Sequence, residues 1–284
     1  MNSDHRVIIV TGANKGIGYQ VFKELAVATK GPAKIYLTCR NVELGTAALT
    51  KVCEETKKNR DGGVSLDFHQ LDITDEKSII NFTKYIDSKY GKNSIDVLIN
   101  NAGIATFGAP DPKGEIATRT IKTNYFGTVM VTEHLMDYFN HNARIIFNSS
   151  GVAKYHGAPR EVQTAYYIEN FKTKKEIDDH LNSIIKKAQR GEYENGVPSR
   201  SYCDSKAGLN TYTWLLSHQY QTDPRKLLFL SCDPGWTRTD TGGPDAPLSL
   251  EEGAVTIIYL STCDFNDLYK HNGRYFHKSA MEDW

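Results

Sequence analysis

Tyr202 and Lys206 stand four residues apart in the stretch Tyr202-Cys203-Asp204-Ser205-Lys206. On a helix that spacing puts both on one face, about one turn from each other, so a phenol and an ammonium can look into one pocket. A free phenol titrates near pH 10 and exchanges protons poorly at neutral pH, but a fixed cation stabilises its phenolate. At about 4 Å and an effective dielectric of about 20, the attraction is worth roughly 4 kcal/mol, enough to bring Tyr202 to about 7. A group tuned there suits general acid–base work. The same spacing also describes a solvated surface pair, so the neighbouring elements have to decide between the two.

Those elements are read from the chain in order. The β-branched run Val7-Ile8-Ile9-Val10 is the pattern of a strand buried on both faces of a parallel sheet. It leads into Thr11-Gly12-Ala13-Asn14-Lys15-Gly16-Ile17-Gly18 and an amphipathic helix through Val21, Phe22, Leu25 and Ala26. Glycines at such a strand-to-helix turn let backbone approach a pyrophosphate, and the helix start offers oriented N–H groups. A plain tight turn is the competing reading. Ile35 to Cys39 forms the second strand, with Arg40 at its carboxyl end and Asn41 capping a helix to about Asn59. An acid at that strand end accepts from a ribose 2′-hydroxyl, whereas an Arg suits a 2′-phosphate. The first acid here is Glu43, already inside the helix, so Arg40, with Lys15 from the glycine loop, favours NADPH over NADH.

Val64 to Asp72 reads as a third strand, with Asp72-Ile73 where an adenine edge can be met and Thr74 as cap of the next helix. Ile95 to Ile99 is the fourth, delivering Asn100-Asn101-Ala102-Gly103, whose amides can brace neighbouring strands and whose small residues admit a cofactor ring. Helical spacing runs from Glu115 to Met136, and Asn124 and Gly127 at its middle mark a kink or a functional side chain. Arg144 to Ser150 is a fifth strand with Ser149 and Ser150 at its ligand end. Leu227 to Cys232 is a sixth, ending in Asp233-Pro234-Gly235-Trp236-Thr237-Arg238-Thr239. Ser249-Leu250-Glu251-Glu252 is a capping box, and Gly273 to Phe276 reads as a last strand. The alternation predicts an α/β fold, one doubly wound parallel sheet over residues 1–284, without linker, repeat or low-complexity tract.

Composition narrows the ligand. Lys and Arg total 34, Asp and Glu total 34, so no global charge points to nucleic acid or an acidic membrane surface. The five cysteines form no Cys-x-x-Cys pair, against both a disulfide framework and a zinc site. No signal-peptide h-region and no bilayer-length apolar run is visible. The expectation is a cytoplasmic protein acting on a small molecule, without a metal.

Taken together, the glycine loop, Asn100 to Gly103, Asn124, Ser150, Tyr202 with Lys206, and Pro234-Gly235 make the chain resemble the short-chain dehydrogenase/reductase family along nearly its whole length. That resemblance implies hydride transfer between a nicotinamide and a carbonyl or alcohol carbon. Tyr202 then protonates the carbonyl oxygen, Ser150 hydrogen-bonds it, Lys206 holds the nicotinamide ribose, and Asn124 supports a water relay. Ser149 is the runner-up for the serine role. The implied cofactor-binding set is Gly12, Asn14, Lys15, Gly16, Ile17, Gly18, Arg40, Asp72, Ile73, Asn100, Ala102, Gly103, Tyr202, Lys206, Pro234, Gly235, Trp236, Thr237 and Thr239.

Asn14-Lys15, the run Lys122 to Thr128, Pro234 to Thr239 and the final Trp284 are similar to the carbonyl reductase subgroup. So is a long insertion at about 152–200, where related enzymes carry a short loop. Within it Thr173-Lys174-Lys175-Glu176 is a capping box, and Ile177, Leu181, Ile184, Ile185 and Ala188 make one apolar stripe, predicting a docked helix. The subgroup resemblance implies that this insertion covers an oligomerising surface, leaving a monomer. Phe107, Val152, Tyr155, His156 and Trp236 flank the motifs and are candidates for an apolar, aromatic substrate wall suited to quinones, aromatic ketones, aldehydes or lipid-like ketones. A more selective steroid, prostaglandin or alcohol dehydrogenase, and an NADPH-sensing regulator without turnover, are the competing readings.

Overall fold

The apolar runs become strands because each can bury both faces at once. In the structure, a computed structural model describing residues 5–106, 110–154, 160–192 and 200–284, eight strands lie in one sheet ordered β3-β2-β1-β4-β5-β6-β7-β8. They are β1 (Arg6–Thr11), β2 (Ala33–Cys39), β3 (Val64–Gln70), β4 (Ile95–Asn100), β5 (Phe139–Asn148), β6 (Leu228–Asp233), β7 (Tyr275–His277) and β8 (Ala280–Glu282). All neighbours pair parallel except β7 and β8. Along β1, Val7 and Ile9 enter one hydrophobic layer, while Ile8 and Val10 enter the other. Two separate cores, one per face, are the reason these strands lack the polar alternation of a half-exposed sheet.

The first layer holds α3 (Glu76–Tyr90), α4 (Glu115–Ile121), α5 (Thr128–His134), α7 (Lys174–Gln189) and α8 (Arg200–Gln219). The second holds α1 (Gly16–Ala28), α2 (Val42–Thr56), α9 (Leu250–Thr262) and α10 (Phe265–Tyr269). No helix among the described residues is long and apolar enough to cross a membrane, and the five cysteines are free, with Cys39, Cys203 and Cys232 buried.

Two local expectations need correction, and one strand comes in addition. Thr74 does not cap α3; Asp75 does, accepting from the Lys77 N–H at 3.0 Å, while Thr74 bonds back to Asp72 Oδ1 at 2.7 Å. The predicted helix from Glu115 to Met136 is two helices joined by a π-turn over Lys122–Gly127, the wider turn falling where Asn124 and Gly127 weaken α-helical propensity. The antiparallel β8 was not anticipated; its three exposed residues are too few for a periodic signal.

The insertion is built as its pattern predicts. The Thr173 hydroxyl accepts from the Glu176 N–H at 3.3 Å and Glu176 returns the bond to the Thr173 N–H at 2.9 Å, closing the box that starts α7. Ile177, Leu181, Ile184, Ile185 and Ala188 are all buried. A preceding helix, α6 (Thr164–Asn170), packs on α8. Helix α7 approaches α8 so closely that a β-carbon on Gly208 would sit 3.0 Å from Leu181 Cδ1 and 3.2 Å from Tyr125 Cδ2. Leu181→Ala should therefore destabilise the fold by about 2–5 kcal/mol in urea denaturation, the cost of a core cavity. A loss of only a few tenths would show that α7 is not part of the first layer's core.

Candidate active site

The carboxyl ends of β1, β2, β4, β5 and β6 open onto one cleft of about 1790 Å3. Gly12, Asn14, Lys15, Gly16, Ile17, Gly18, Arg40, Asp72, Ile73, Ala102, Gly103, Ser150, Val152, Tyr202, Lys206, Pro234, Gly235, Trp236, Thr237 and Thr239 all line it. Sequence positions as far apart as Gly12 and Thr239 thus meet because these strand ends point the same way.

Along the cleft floor the glycines are demanded by close backbone. Gly12 has φ 63°, and a β-carbon there would sit 2.8 Å from Ala102 Cα; one on Gly18 would meet Asn101 Nδ2 at 2.3 Å and the Gly12 carbonyl at 2.7 Å. Helix α1 starts at Gly16 with no side-chain cap from Lys15, so its first N–H groups remain available to an anion. Asn101 fastens this floor: its Nδ2 donates to the carbonyls of Thr11 (2.9 Å) and Gly12 (3.3 Å), and its Oδ1 accepts from Asn148 at 3.0 Å. The Asn101 amide is therefore the strand brace. Asn100 is instead turned into the core, where its Nδ2 donates to Thr132 Oγ1 at 3.2 Å, and it does not line the cleft. The expectation that Asn100 itself faces a cofactor is corrected by one step of strand alternation.

At the far end, Tyr202 and Lys206 lie on the cleft face of α8. Lys206 is buried and donates through Nζ to the Asn148 carbonyl at 2.8 Å, while Nζ stands 5.6 Å from the centroid of the Tyr202 ring. Ser150 makes a side-chain hydrogen bond with Tyr202 and also accepts from the Val152 N–H at 3.3 Å. Ser149 is turned away, donating to the Lys206 carbonyl at 3.4 Å, so Ser150 is the serine in contact with the phenol. Asn124 lies behind Gly103 and outside the cleft lining: its Oδ1 accepts from the Ile104 N–H at 2.8 Å, and its Nδ2 donates to the Ile104 carbonyl (2.8 Å) and Ser205 Oγ (3.2 Å). A β-carbon on Gly103 would sit tightly, 3.2 Å from Asn124 Oδ1, and in ordinary contact with Lys206 Nζ at 3.7 Å.

The electrostatics differ from the expectation. Burial pushes the Tyr202 phenol up to about 12; the bond from Ser150 opposes this and the Asp233 charge adds to it. Burial brings the Lys206 ammonium down to about 8, with Cys232 and Asp233 acting the other way. Lys206 does not bring Tyr202 to neutrality here, because desolvation of the phenolate outweighs a cation whose protons are directed at a backbone carbonyl.

The mouth of the cleft also departs from an apolar wall. Trp236 is 59% exposed and its Nε1 donates to the Gly242 carbonyl at 2.8 Å. Lys113 just before α4, Glu115 and Arg119 on it, and Lys122 directly after it line the cleft, charged groups at helical spacing on one side. Lys15 pairs with Asp240 across the entrance, both side chains largely exposed. Phe107, Tyr155 and His156 lie outside the described residues.

The cradle makes a test of its own. Gly12→Ala should lose more than the roughly 1–2 kcal/mol that a left-handed backbone costs an L-residue, since the methyl also meets Ala102. Gly243→Ala, with φ 76° and open space around it, should lose only the conformational share in thermal denaturation. Equal losses would remove the steric reason for Gly12.

A protein-family model described as short chain dehydrogenase matches residues 6–166. Carbonyl reductase [NADPH] 1 of Homo sapiens is 35% identical over 292 aligned positions, covering all of both chains. Among solved structures, salutaridine reductase from Papaver somniferum superposes with a TM-score of 0.80 at 26% identity, covering 95% of this chain and 99% of that one. An NADPH-bound carbonyl reductase from chicken fatty liver shares the fold at a TM-score of 0.67 and 22% identity over 99% of this chain and all of that one. The family match spans more than half of the sequence and the full-length likeness runs through the strand ends that build this cleft, so the chain belongs to the short-chain dehydrogenase/reductase family.

Proposed function

We propose that the protein reduces carbonyl compounds to alcohols with NADPH. The observation that carries this reading is the Ser150–Tyr202 contact, with Lys206 one helical turn away, at the end of a floor bared by Gly12 and Gly18. That floor, the uncapped start of α1 and the exposed Arg40 fit a dinucleotide carrying a 2′-phosphate. When bound, the dinucleotide supplies the hydride.

The chain's own residues do the rest. Ser150 donates a hydrogen bond to the substrate oxygen and holds it beside the Tyr202 hydroxyl. Tyr202 retains its proton at neutral pH, being pushed up to about 12, and gives it to that oxygen as charge develops there. Lys206 would hold the nicotinamide ribose, and its ammonium favours the phenolate left behind. Asn124 acts through position: clamping both backbone polar groups of Ile104, it holds Gly103 beside Lys206.

Val152 and Trp236 form substrate wall beside Ser150, and the charged stripe of α4 borders the opening. Quinones, aromatic ketones and aldehydes fit this mixture of apolar wall and polar rim. The docked insertion, with its apolar stripe turned inward, supports a monomer, and five free cysteines support a reducing, cytoplasmic setting.

Tyr202→Phe should lower kcat for NADPH oxidation with a small quinone by about 10²–10⁴-fold without altering thermal stability much. Turnover at the wild-type rate would take the phenol out of the reaction. Arg40→Ala should raise KM for NADPH roughly ten- to a hundredfold while leaving KM for NADH nearly unchanged, the share of a charge-assisted hydrogen bond to phosphate. Equal effects on both would contradict a 2′-phosphate at Arg40.

A further inference from the structure

Asn148, the last residue of β5, lines the cleft and has no part in that reading. Its backbone carbonyl accepts from Lys206 Nζ at 2.8 Å. Its buried side chain makes a second tie, Nδ2 donating to Asn101 Oδ1 at 3.0 Å. From there Asn101 Nδ2 donates to the carbonyls of Thr11 (2.9 Å) and Gly12 (3.3 Å), where β1 turns into the glycine loop. The Asn101 amide also fills the space over Gly18, where a β-carbon would collide with Nδ2. Two amides in series therefore connect the Lys206 end of the cleft to the loop that opens α1.

The direction of these bonds is forced. Carbonyls only accept, so Asn101 must present its NH2 to Thr11 and Gly12 and its oxygen to Asn148. Asn148 must then present its own NH2, and its Oδ1 is left buried with no hydrogen-bond partner among the described residues. An apolar residue of the same branched shape would remove that stranded oxygen and release Asn101 Oδ1, so stability is nearly indifferent to the choice. The strands stay tied without the Asn148 amide, because Thr11 Oγ1 accepts from the N–H groups of Asn101 and Ala102, both at 3.0 Å. What the amide adds is a fixed orientation for Asn101.

We propose that Asn148 is a positioning residue for the dinucleotide: through the Asn101 amide it fixes the Thr11–Gly12 turn, so that the loop meets the phosphates already arranged. This rests on the cleft taking a dinucleotide with its phosphates at the start of α1 and its nicotinamide end at Lys206. A loop ordered in advance cuts the ordering cost of binding. Asn148 thus acts on a half of the ligand that it does not touch.

The test is the dissociation constant of NADP+ and of 2′,5′-ADP, which carries the adenosine half and stops short of Lys206, by isothermal titration calorimetry on the full chain. Asn148→Leu keeps the backbone carbonyl for Lys206 and removes the amide. Both ligands should bind about five- to tenfold more weakly, the share of one hydrogen bond, while the ligand-free protein melts close to wild type. Weakened 2′,5′-ADP is the deciding result: a direct contact with the nicotinamide end weakens NADP+ alone, and that outcome overturns the proposal. A merely structural role lowers the melting temperature and leaves both constants unchanged, which also overturns it. Asn101→Ala should weaken 2′,5′-ADP as well, and the double variant should bind no more weakly than Asn101→Ala; losses that multiply overturn a path through Asn101. Should Asn148→Leu fail to fold, Asn148→Ala, which removes the amide without adding volume, is judged by the same outcomes. Wild-type protein that binds neither ligand sinks the dinucleotide reading together with this role, whereas firm wild-type binding with unchanged constants in Asn148→Leu sinks the role of Asn148 alone.

Discussion

A buried ammonium is tolerated only where oxygen atoms take its protons, and the bond from Lys206 to the Asn148 carbonyl meets that condition at the last residue of β5. It sets the height of α8 against the sheet. With Lys206 fixed there, Tyr202 one turn earlier falls beside Ser150, two residues beyond the same strand. The spacing of the chemical groups is thus inherited from one polar contact between helix and strand.

The rest of α8 is docked by the same means. Asp204, fully buried, accepts from the Tyr167 hydroxyl at 2.7 Å and lies 3.6 Å from the Arg200 guanidinium. Asn210 donates to Thr164 at 2.9 Å and accepts from Ser231 at 2.5 Å, and Thr164 in turn donates to the Ala153 carbonyl at 3.1 Å. These contacts join β6, α8, the insertion's first helix α6 and the turn after Ser150. Because their geometry is directional, they specify one placement of α8 where an apolar interface would allow sliding. The insertion is therefore part of what holds the Ser150 turn, in addition to covering α8 with α7.

How much of this was legible follows from the kind of signal each element carries. Strand β1 carries the unbroken apolar run Val7 to Val10, β4 and β6 are apolar apart from Asp96 and Ser231 before their polar ends, and α7 and α9 begin with capping boxes, so periodicity and local chemistry identify them within a few residues. Helix α8 is different: Asp204, Ser205, Lys206, Asn210, Thr211 and Thr213 are all buried, so its polar residues face inward as well as outward and no clean stripe appears. It was recognisable through the Tyr202–Lys206 spacing and the family pattern. Asn100 and Asn101 could not be told apart by composition, since one step along a strand exchanges cleft for core. The Lys15–Asp240 pair, and Asp233 against His277, join segments far apart in sequence, which spacing cannot reveal.

The Tyr202 acidity expected from charge alone failed for a reason that bears on direction. Coulomb attraction from a lysine lowers a phenol, but burial raises it, and for the partly buried Tyr202 the second effect wins. Burial moves the two groups in opposite senses, the phenol up to about 12 and the ammonium down to about 8, yet at neutral pH both still carry their protons. For the proposed reduction that is the competent state, since the oxygen being reduced must receive a proton. The reverse reaction needs Tyr202 deprotonated first, which the same burial opposes. Partial desolvation of Tyr202 at the cleft therefore biases the site toward giving protons.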